Sequence, residues 1–255
     1  MSAIDGFSEE IFTTSDRSLR LFSKGNGPGV ILLHELPGLT RETVEFAEWI
    51  ADRGFRVVMP LMFGRPLQPT IVGLLKAPIL CIRSEFNNLT QGRSSAITTA
   101  LRALCRKVHA ECGGPGIGAI GMCYTGGFVL AMMVEASLLA PVAAQPSLPL
   151  FQPEALDVEP EKLALAAKCT NGMVLLGLRF EDDPRCPAAR FERLQTSLQS
   201  EQDSATQRCF RSITVPGKGH STLTFDYQAA LDRGVDTREF VLQHLRAQLL
   251  GVDKS

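Results

Sequence analysis

The sequence predicts an α/β domain with a mostly parallel, doubly wound sheet and helices on both faces. Several apolar runs are short and unbroken, which is typical of strands buried on both faces of a parallel sheet. Helical patterns lie between them, because apolar residues recur there at three- and four-residue steps. This alternation predicts right-handed crossovers between parallel strands. The predicted strands are 30–33, 57–59, 117–122, 142–144 and 173–176, and the helix faces carry Val44, Ala47 and Ile50, then Ile97, Leu101, Leu104 and Val108.

Each end of the chain has a distinct pattern. Residues 11–21 hold two apolar stretches around a polar turn at 15–17, which predicts a hairpin leading into the sheet. Near the other end, Asp236 is a residue type that caps helices, and Val241 and Leu245 follow it on one helix face. We therefore expect an antiparallel hairpin at the start and a packed helix at the end.

Composition argues against several classes of function. The formal net charge is −1 with both signs mixed along the chain, so neither nucleic acid nor a membrane surface is expected as a partner. The acidic segment 1–10 is unlike a signal peptide, and no apolar stretch is long enough to span a membrane. The seven cysteines are odd in number and form no CxxC pair, so we expect a reducing cytoplasm, no disulfide framework and no metal site. Without a repeat or linker, residues 1–255 are expected to form a single domain.

A cysteine flanked by glycines follows the predicted strand 117–122. The sequence GMCYTGG at 121–127 joins this strand to a helix predicted at 128–136. A strand-to-helix turn of this kind presents a nucleophile at the carboxyl edge of a parallel sheet, and the helix N-terminus favours the thiolate. Cys123 is therefore a candidate nucleophile. The alternative is a glycine-rich junction that carries a small buried thiol, and this segment alone favours neither.

A thiol nucleophile needs a base, and the chain has four histidines. His109 and His244 fall within helical patterns, where surface positions explain them. His220 follows a glycine-rich loop after the last apolar strand, predicted at 209–215, and is the candidate base. The alternative for His220 is an exposed loop histidine without a role in chemistry.

The orienting acid is predicted after the strand 173–178, where Asp182 and Asp183 stand next to each other. An acid there lies between Cys123 and His220 in the chain, which is the order of nucleophile, acid and histidine in α/β-hydrolases. Acidic clusters are also common in solvated turns. Sequence order alone does not distinguish the two aspartates.

An oxyanion site needs two backbone donors. One is the N–H of Tyr124, which follows the nucleophile, and the other is expected from the loop after the strand 30–33. Pro37 has no N–H, which leaves Leu36 as the donor. Glu35 would then point into the site, where it could hold the thiol protonated or assist proton transfer. The alternative for Glu35 is a salt bridge at a strand end.

Together these segments resemble the dienelactone hydrolase family, a cysteine-dependent branch of the α/β-hydrolases. The similar segments are LHELPG at 33–38, GFRVVMP at 54–60 with FGR at 63–65, GMCYTGG at 121–127, Asp183 four residues before Pro187, and GHS at 219–221. The resemblance implies the α/β-hydrolase fold and a triad of Cys123, Asp183 and His220, with no cofactor. The spacing to Pro187 selects Asp183 over Asp182.

One departure from the family pattern falls in the nucleophile turn. The family's segment usually reads Gly-x-Cys-x-Gly, whereas Thr125 stands at the last position here. A β-branched residue replaces a glycine that relieves crowding. We therefore expect either a slightly reshaped turn or backbone strain taken up by Gly126.

The function that the resemblance implies is cleavage of an activated ester, a small lactone or enol-lactone of the dienelactone kind. Such substrates carry a carboxylate, for which Arg65, Arg83 and Arg179 are candidate partners. Two other functions stay open: a thioesterase or carboxylesterase on the same fold, and a non-catalytic relic that binds a small ligand. The expected partner is the small-molecule substrate, and no oligomeric state follows from the sequence.

Overall fold

Eight strands form one sheet in the computed structural model, which describes residues 2–67, 96–147, 172–198 and 209–251. The strands are β1 (Ser8–Thr13), β2 (Ser18–Lys24), β3 (Gly29–Leu33), β4 (Arg56–Pro60), β5 (Ile117–Met122), β6 (Leu138–Ala144), β7 (Leu175–Phe180) and β8 (Phe210–Val215). Their order in the sheet is β1-β2-β4-β3-β5-β6-β7-β8. The pairs β1–β2 and β2–β4 are antiparallel, and all other pairs are parallel. The predicted mostly parallel sheet and its N-terminal hairpin are confirmed.

Helices cover both faces of this sheet. They are α1 (Arg41–Ala51), α2 (Ala96–Cys112), α3 (Gly126–Met132), α4 (Ala188–Leu198), α5 (Tyr227–Leu231) and α6 (Thr237–Leu249), and a single 3₁₀ turn (Cys123–Thr125) precedes α3. Helices α1 and α6 pack into one apolar cluster with one face of the sheet. Helices α2, α3 and α4 pack into a second cluster on the opposite face. The doubly wound α/β architecture is therefore confirmed.

The unbroken apolar strands are explained by these two layers. In β3, Val30 and Leu32 pack on the α1 and α6 side, whereas Ile31 and Leu33 pack on the α2 side. Successive side chains of a strand point to opposite faces, so a strand covered on both sides needs apolar residues at every position. At the C-terminal end, Asp236 caps α6 as predicted, because its side chain accepts from the N–H of Glu239 (3.0 Å).

Two predictions about helical residues are wrong. The helix predicted at 128–136 ends at Met132, because the chain must turn to enter β6, and the N–H of Leu138 donates to Glu135 O (3.0 Å) in that turn. His244 was predicted at the surface but is only 5% exposed on α6. Burial lowers the pKa of His244 to about 4, so its ring is neutral at physiological pH. A histidine on a helix face can thus serve as a core residue.

The candidate site residues lie where parallel strands end. Glu35 follows β3, Cys123 follows β5, Asp183 follows β7 and His220 follows β8. In a parallel sheet, these loops meet at the carboxyl edge, where ligands bind in open α/β folds. None of the helices in the described ranges has the length and hydropathy needed to cross a bilayer.

Candidate active site

Cys123 occupies a strained turn between β5 and α3. Its φ is +53°, a left-handed conformation that residues with a Cβ rarely adopt. The turn is tight, because a Cβ added at Gly121 would lie 2.4 Å from Thr125 O and 2.7 Å from Val129 Cγ2. Backbone strain at a buried strand end usually persists where function requires it. The turn has the geometry of a nucleophile elbow, with its thiol 7% exposed.

Thr125 is accommodated without strain in this turn. Its φ of −79° and ψ of −7° are ordinary helical values, and so are those of Gly126 (−57° and −38°). The Thr125 hydroxyl accepts from the N–H of Met122 (2.9 Å) and lies within donating distance of two carbonyls, Met122 O (2.9 Å) and Leu33 O (3.2 Å). The side chain that departs from the family pattern therefore ties the elbow to β3. The strain at Gly126 that the sequence offered as one possibility is not seen.

His220 and Asp183 are in direct contact. The Nδ1 of His220 donates to Oδ2 of Asp183 over 2.7 Å, and the N–H of Arg185 donates to the other oxygen of Asp183 (2.9 Å). Asp183 is 2% exposed, whereas its neighbour Asp182 lies at the surface. The loop that carries His220 is itself held by Asp226, whose Oδ2 accepts from the N–H of His220 (2.8 Å).

The charge of His220 follows from this contact. Burial alone would lower the pKa of His220, but the hydrogen bond to Asp183 and the adjacent sulfur of Cys123 raise it to about 10. The imidazolium is therefore the form present at neutral pH. A ring held in this orientation and charge state can stabilise a thiolate and deliver a proton to a leaving group.

Three chemically different side chains converge at the elbow. The Cys123 sulfur, a ring nitrogen of His220 and a carboxylate oxygen of Glu35 all lie within 4.8 Å of one another. The sulfur lies 3.1 Å from the hydroxyl of Ser147. The Nε2 of His220 is buried and has no hydrogen-bond partner among the described residues. Ser147 thus holds the thiol beside the imidazole of His220.

Glu35 points into this centre, as the sequence predicted. It is 1% exposed and accepts hydrogen bonds from the hydroxyls of Ser221 (2.9 Å) and Thr224 and from the amide of Gln145 (3.5 Å). Burial raises the pKa of Glu35 above its usual range. Within the described ranges no Lys or Arg side chain forms an ion pair with it. The described residues therefore provide no Lys or Arg side chain for the strand-end salt bridge that was the alternative for Glu35.

The two candidate oxyanion donors lie on adjacent strand ends. Leu36 follows Glu35 at the end of β3, Tyr124 follows Cys123 at the end of β5, and β3 pairs with β5 in the sheet. The N–H of Leu36 meets no acceptor from the described residues. The Tyr124 ring packs edge-on against Phe128, 5.2 Å between centroids, and so keeps the elbow in place.

The three arginines that were candidates to bind a substrate carboxylate differ in burial and in their hydrogen bonds. Arg179 is 5% exposed, and its guanidinium donates to the carbonyls of Cys186 (2.9 Å) and Glu181 (2.6 Å), so it holds the turn after β7 together. Arg65 is exposed, and Arg83 lies outside the described residues. Arg179 is therefore a structural residue rather than a substrate anchor.

Several polar residues of the site were not predicted from the sequence. Ser147 and Gln145 follow β6, and Ser221 and Thr224 follow His220. A usable signal existed, because polar residues directly after a buried parallel strand lie at the carboxyl edge. The segment from residue 145 onward is expected at this edge from its sequence, but no single residue after β6 was a candidate, unlike those after β3, β5, β7 and β8. Gln145 also links two partners, since its oxygen accepts from the Thr222 hydroxyl (2.6 Å).

Comparison with known proteins identifies the family. The family model of the dienelactone hydrolases matches residues 19–223, most of the chain. The chain belongs to the dienelactone hydrolase family. No curated protein sequence matches it. This family membership supports a hydrolase acting on ester bonds.

Solved structures share the α/β-hydrolase fold of this dienelactone hydrolase family member. A Klebsiella pneumoniae protein assigned as a dienelactone hydrolase has a TM-score of 0.64 at 17% identity, with 95% of this chain and 97% of that chain covered. A dienelactone hydrolase-like promiscuous phosphotriesterase from metagenomic libraries has a TM-score of 0.61 at 19% identity, with 94% and 98% covered. A Pyrococcus horikoshii acylaminoacyl peptidase has a TM-score of 0.61 at 13% identity, with 99% of this chain but 43% of that chain covered. At these identities the likeness establishes the fold.

Proposed function

We propose that this protein hydrolyses activated esters, in particular small lactones and enol-lactones, through a Cys123–His220–Asp183 triad. The observation that carries the proposal is the 2.7 Å contact of His220 Nδ1 with Asp183, beside a thiol presented at a positive φ. A base oriented by a buried acid and placed next to a strained nucleophile is the arrangement that acyl transfer needs. No step of the proposal requires a cofactor.

Acylation starts from the reactive form, in which the thiol of Cys123 has lost its resting proton and the thiolate faces the imidazolium of His220. The sulfur attacks the acyl carbon, and the carbonyl electron pair moves to oxygen, where the N–H groups of Leu36 and Tyr124 stabilise it. The tetrahedral intermediate then collapses, the C–O bond to the leaving oxygen breaks, and Nε2–H of His220 gives that oxygen its proton. The product is a thioester at Cys123, and with a lactone the ring-opened alcohol or enol stays attached to the same acyl group.

Deacylation uses the neutral imidazole that the first step leaves. Nε2 of His220 takes a proton from water while the water oxygen attacks the thioester carbon. The intermediate expels the Cys123 thiolate, and the imidazolium–thiolate pair is restored. Asp183 keeps Nδ1 protonated throughout, so that Nε2 is the atom that exchanges protons.

A thiol nucleophile restricts the substrates. A thiolate leaves a tetrahedral intermediate more readily than an alkoxide, so an ester with a poor leaving group returns to starting material. Enolates and phenolates are better leaving groups, and esters that contain them pass on to the thioester. The proposed substrate class is therefore an enol-lactone or another activated ester, not a simple alkyl ester.

A substrate panel tests this proposal against a thioesterase or carboxylesterase. We expect kcat/KM for an enol-lactone and an aryl ester to exceed that for the matched ethyl ester by about tenfold or more, a difference of about 1.4 kcal/mol in activation free energy. An acyl thioester of the same acyl group completes the panel. Equal rates on the ethyl and aryl esters would contradict the thiol mechanism, and a preference for the thioester would identify a thioesterase. If none of these substrates is hydrolysed, the result favours the alternative of a non-catalytic protein that binds a small ligand.

Glu35 is proposed to keep the thiol protonated at rest. Three acidic groups, Asp183, Cys123 and Glu35, surround the single imidazolium, so the carboxyl of Glu35 competes with the thiol for that positive charge. Glu35→Gln should therefore raise the rate of Cys123 alkylation by iodoacetamide at pH 7 by up to about tenfold, the effect of one pKa unit on the thiolate fraction.

The matched control for Glu35 is Glu45→Gln, which changes an exposed glutamate of α1 and should leave the alkylation rate unchanged. Peptide mapping must assign the reaction to Cys123, because other free cysteines are present. A rate in Glu35→Gln equal to or below that of the wild type would show that Glu35 has only a structural role.

A further inference from the structure

We infer that the catalytic centre is also a binding site for a thiophilic divalent cation such as Zn²⁺, held by Cys123, His220 and Glu35. The three donor atoms are a sulfur, an imidazole nitrogen and a carboxylate oxygen, within 4.8 Å of one another. This is the mixed donor set that Zn²⁺ accepts, and the sulfur selects against Mg²⁺ and Ca²⁺. The inference concerns inhibition and not a resident cofactor.

The distances fit a metal after small side-chain movements. Zinc bonds of about 2.0 to 2.3 Å in a tetrahedron place the donor atoms about 3.3 to 3.6 Å apart. The donors of Cys123, His220 and Glu35 would therefore move inward by about 1 Å at most. Side-chain rotation provides such a movement, and it takes the sulfur away from its contact with the hydroxyl of Ser147 (3.1 Å).

Each donor has capacity for a metal bond. The Nε2 of His220 is buried and has no partner among the described residues. Asp183 holds the opposite nitrogen, the outer-shell arrangement that orients histidine ligands of zinc. An ionised Glu35 has about four lone-pair positions, and its three hydrogen bonds from Ser221, Thr224 and Gln145 leave one available. The fourth zinc position would take a water molecule.

Binding would close the site to catalysis. The thiol and the imidazolium each release a proton to solvent as sulfur and Nε2 form their bonds to the metal, so affinity rises with pH. The nucleophile and the base are then both occupied. The expected effect on activity rests on the proposed function, whereas the binding itself does not.

Cobalt(II) tests the binding without using activity. A thiolate bound to Co²⁺ gives a sulfur-to-metal charge-transfer absorption in the near ultraviolet, and tetrahedral coordination gives intense visible bands. We expect one equivalent of Co²⁺ to produce both, and Zn²⁺ to displace it. Cys123→Ala, or Cys123→Ser if the alanine variant does not fold, should remove the charge-transfer band. Glu35→Gln should raise the Kd at least about tenfold.

The matched control is Cys112→Ala, which removes a half-buried cysteine of α2 and should leave the spectrum unchanged. A band that survives in both Cys123 variants, or no band in the wild type at millimolar Co²⁺, would overturn the inference. Free Zn²⁺ at ten times its Kd should lower ester hydrolysis about tenfold, and a chelator should restore it. A protein that shows the Cys123-dependent band but hydrolyses no ester would contradict the proposed function and leave the metal site standing.

Discussion

Cys123→Ala should lower kcat for an enol-lactone by about 10⁴-fold or more, because the covalent route is lost and only binding and the oxyanion donors remain. Cys123→Ser should also be poor, since the centre is arranged around a thiol and a hydroxyl is not ionised by the same imidazolium. Steady-state kinetics on one activated ester, with circular dichroism to check folding, make the comparison.

The matched control for this result is Cys112→Ala, a cysteine of α2 outside the site, which should retain wild-type kcat. Cys123→Ala should keep the fold, because alanine and cysteine place the same Cβ on a backbone with a φ of +53°. Loss of the sulfur from a 7% exposed position should cost about 1 kcal/mol of unfolding free energy. Wild-type turnover in a folded Cys123→Ala protein would refute the mechanism.

Asp183→Asn should lower kcat by about 10⁴-fold, the loss seen when the orienting carboxylate of a triad becomes an amide. Asp183 accepts from Nδ1 of His220 over 2.7 Å, which holds the ring with its proton on that nitrogen. An amide in that place can donate to Nδ1 instead, so the neutral ring would carry its proton on Nε2 and could not act as the base. The pKa of His220, raised to about 10 with the help of Asp183, should fall as well.

Asp182→Asn is the control, because it changes the neighbouring carboxyl, which is exposed and makes no contact with His220 within the described structure. Its kcat should stay within about twofold of the wild type. A large loss of kcat in Asp182→Asn, with little effect in Asp183→Asn, would show that Asp182 and not Asp183 is the orienting acid. Equal and small effects on kcat in both variants would show that neither aspartate takes part in the mechanism.

Much of the architecture was predictable, because a strand buried on both faces of the sheet has apolar residues at successive positions in the sequence. Strand β5 begins and ends at the residues expected, 117 and 122, since every side chain in it is buried. The end of α3 was not predictable, because residues 133–136 include apolar side chains that a helix and a turn both accept. Likewise His244 lies in the core, where burial lowers its pKa to about 4 and keeps its ring neutral, and the sequence gives no sign of this burial.

The positions of the candidate site residues were predictable from strand order, whereas their hydrogen bonds were not. Every parallel strand ends at one edge, so the residues after β3, β5, β7 and β8 were expected to meet. Ser147 was missed because a single serine after a strand has no motif, although its hydroxyl lies 3.1 Å from the Cys123 sulfur. The β-branch of Thr125 predicts crowding, whereas its hydroxyl accepts from the N–H of Met122 within the elbow, which no sequence pattern indicates.

The central claim is that the acyl group passes through a thioester at Cys123. Rapid mixing with an enol-lactone, an acid quench and mass spectrometry of the intact protein and its peptides test this most directly. We expect an adduct equal to the whole mass of the lactone, since the opened ring stays attached, on the peptide that contains Cys123, and hydroxylamine should remove it. An acyl group found on an oxygen instead, such as that of Ser147 or Ser221, would contradict the account, and so would turnover without any adduct on Cys123.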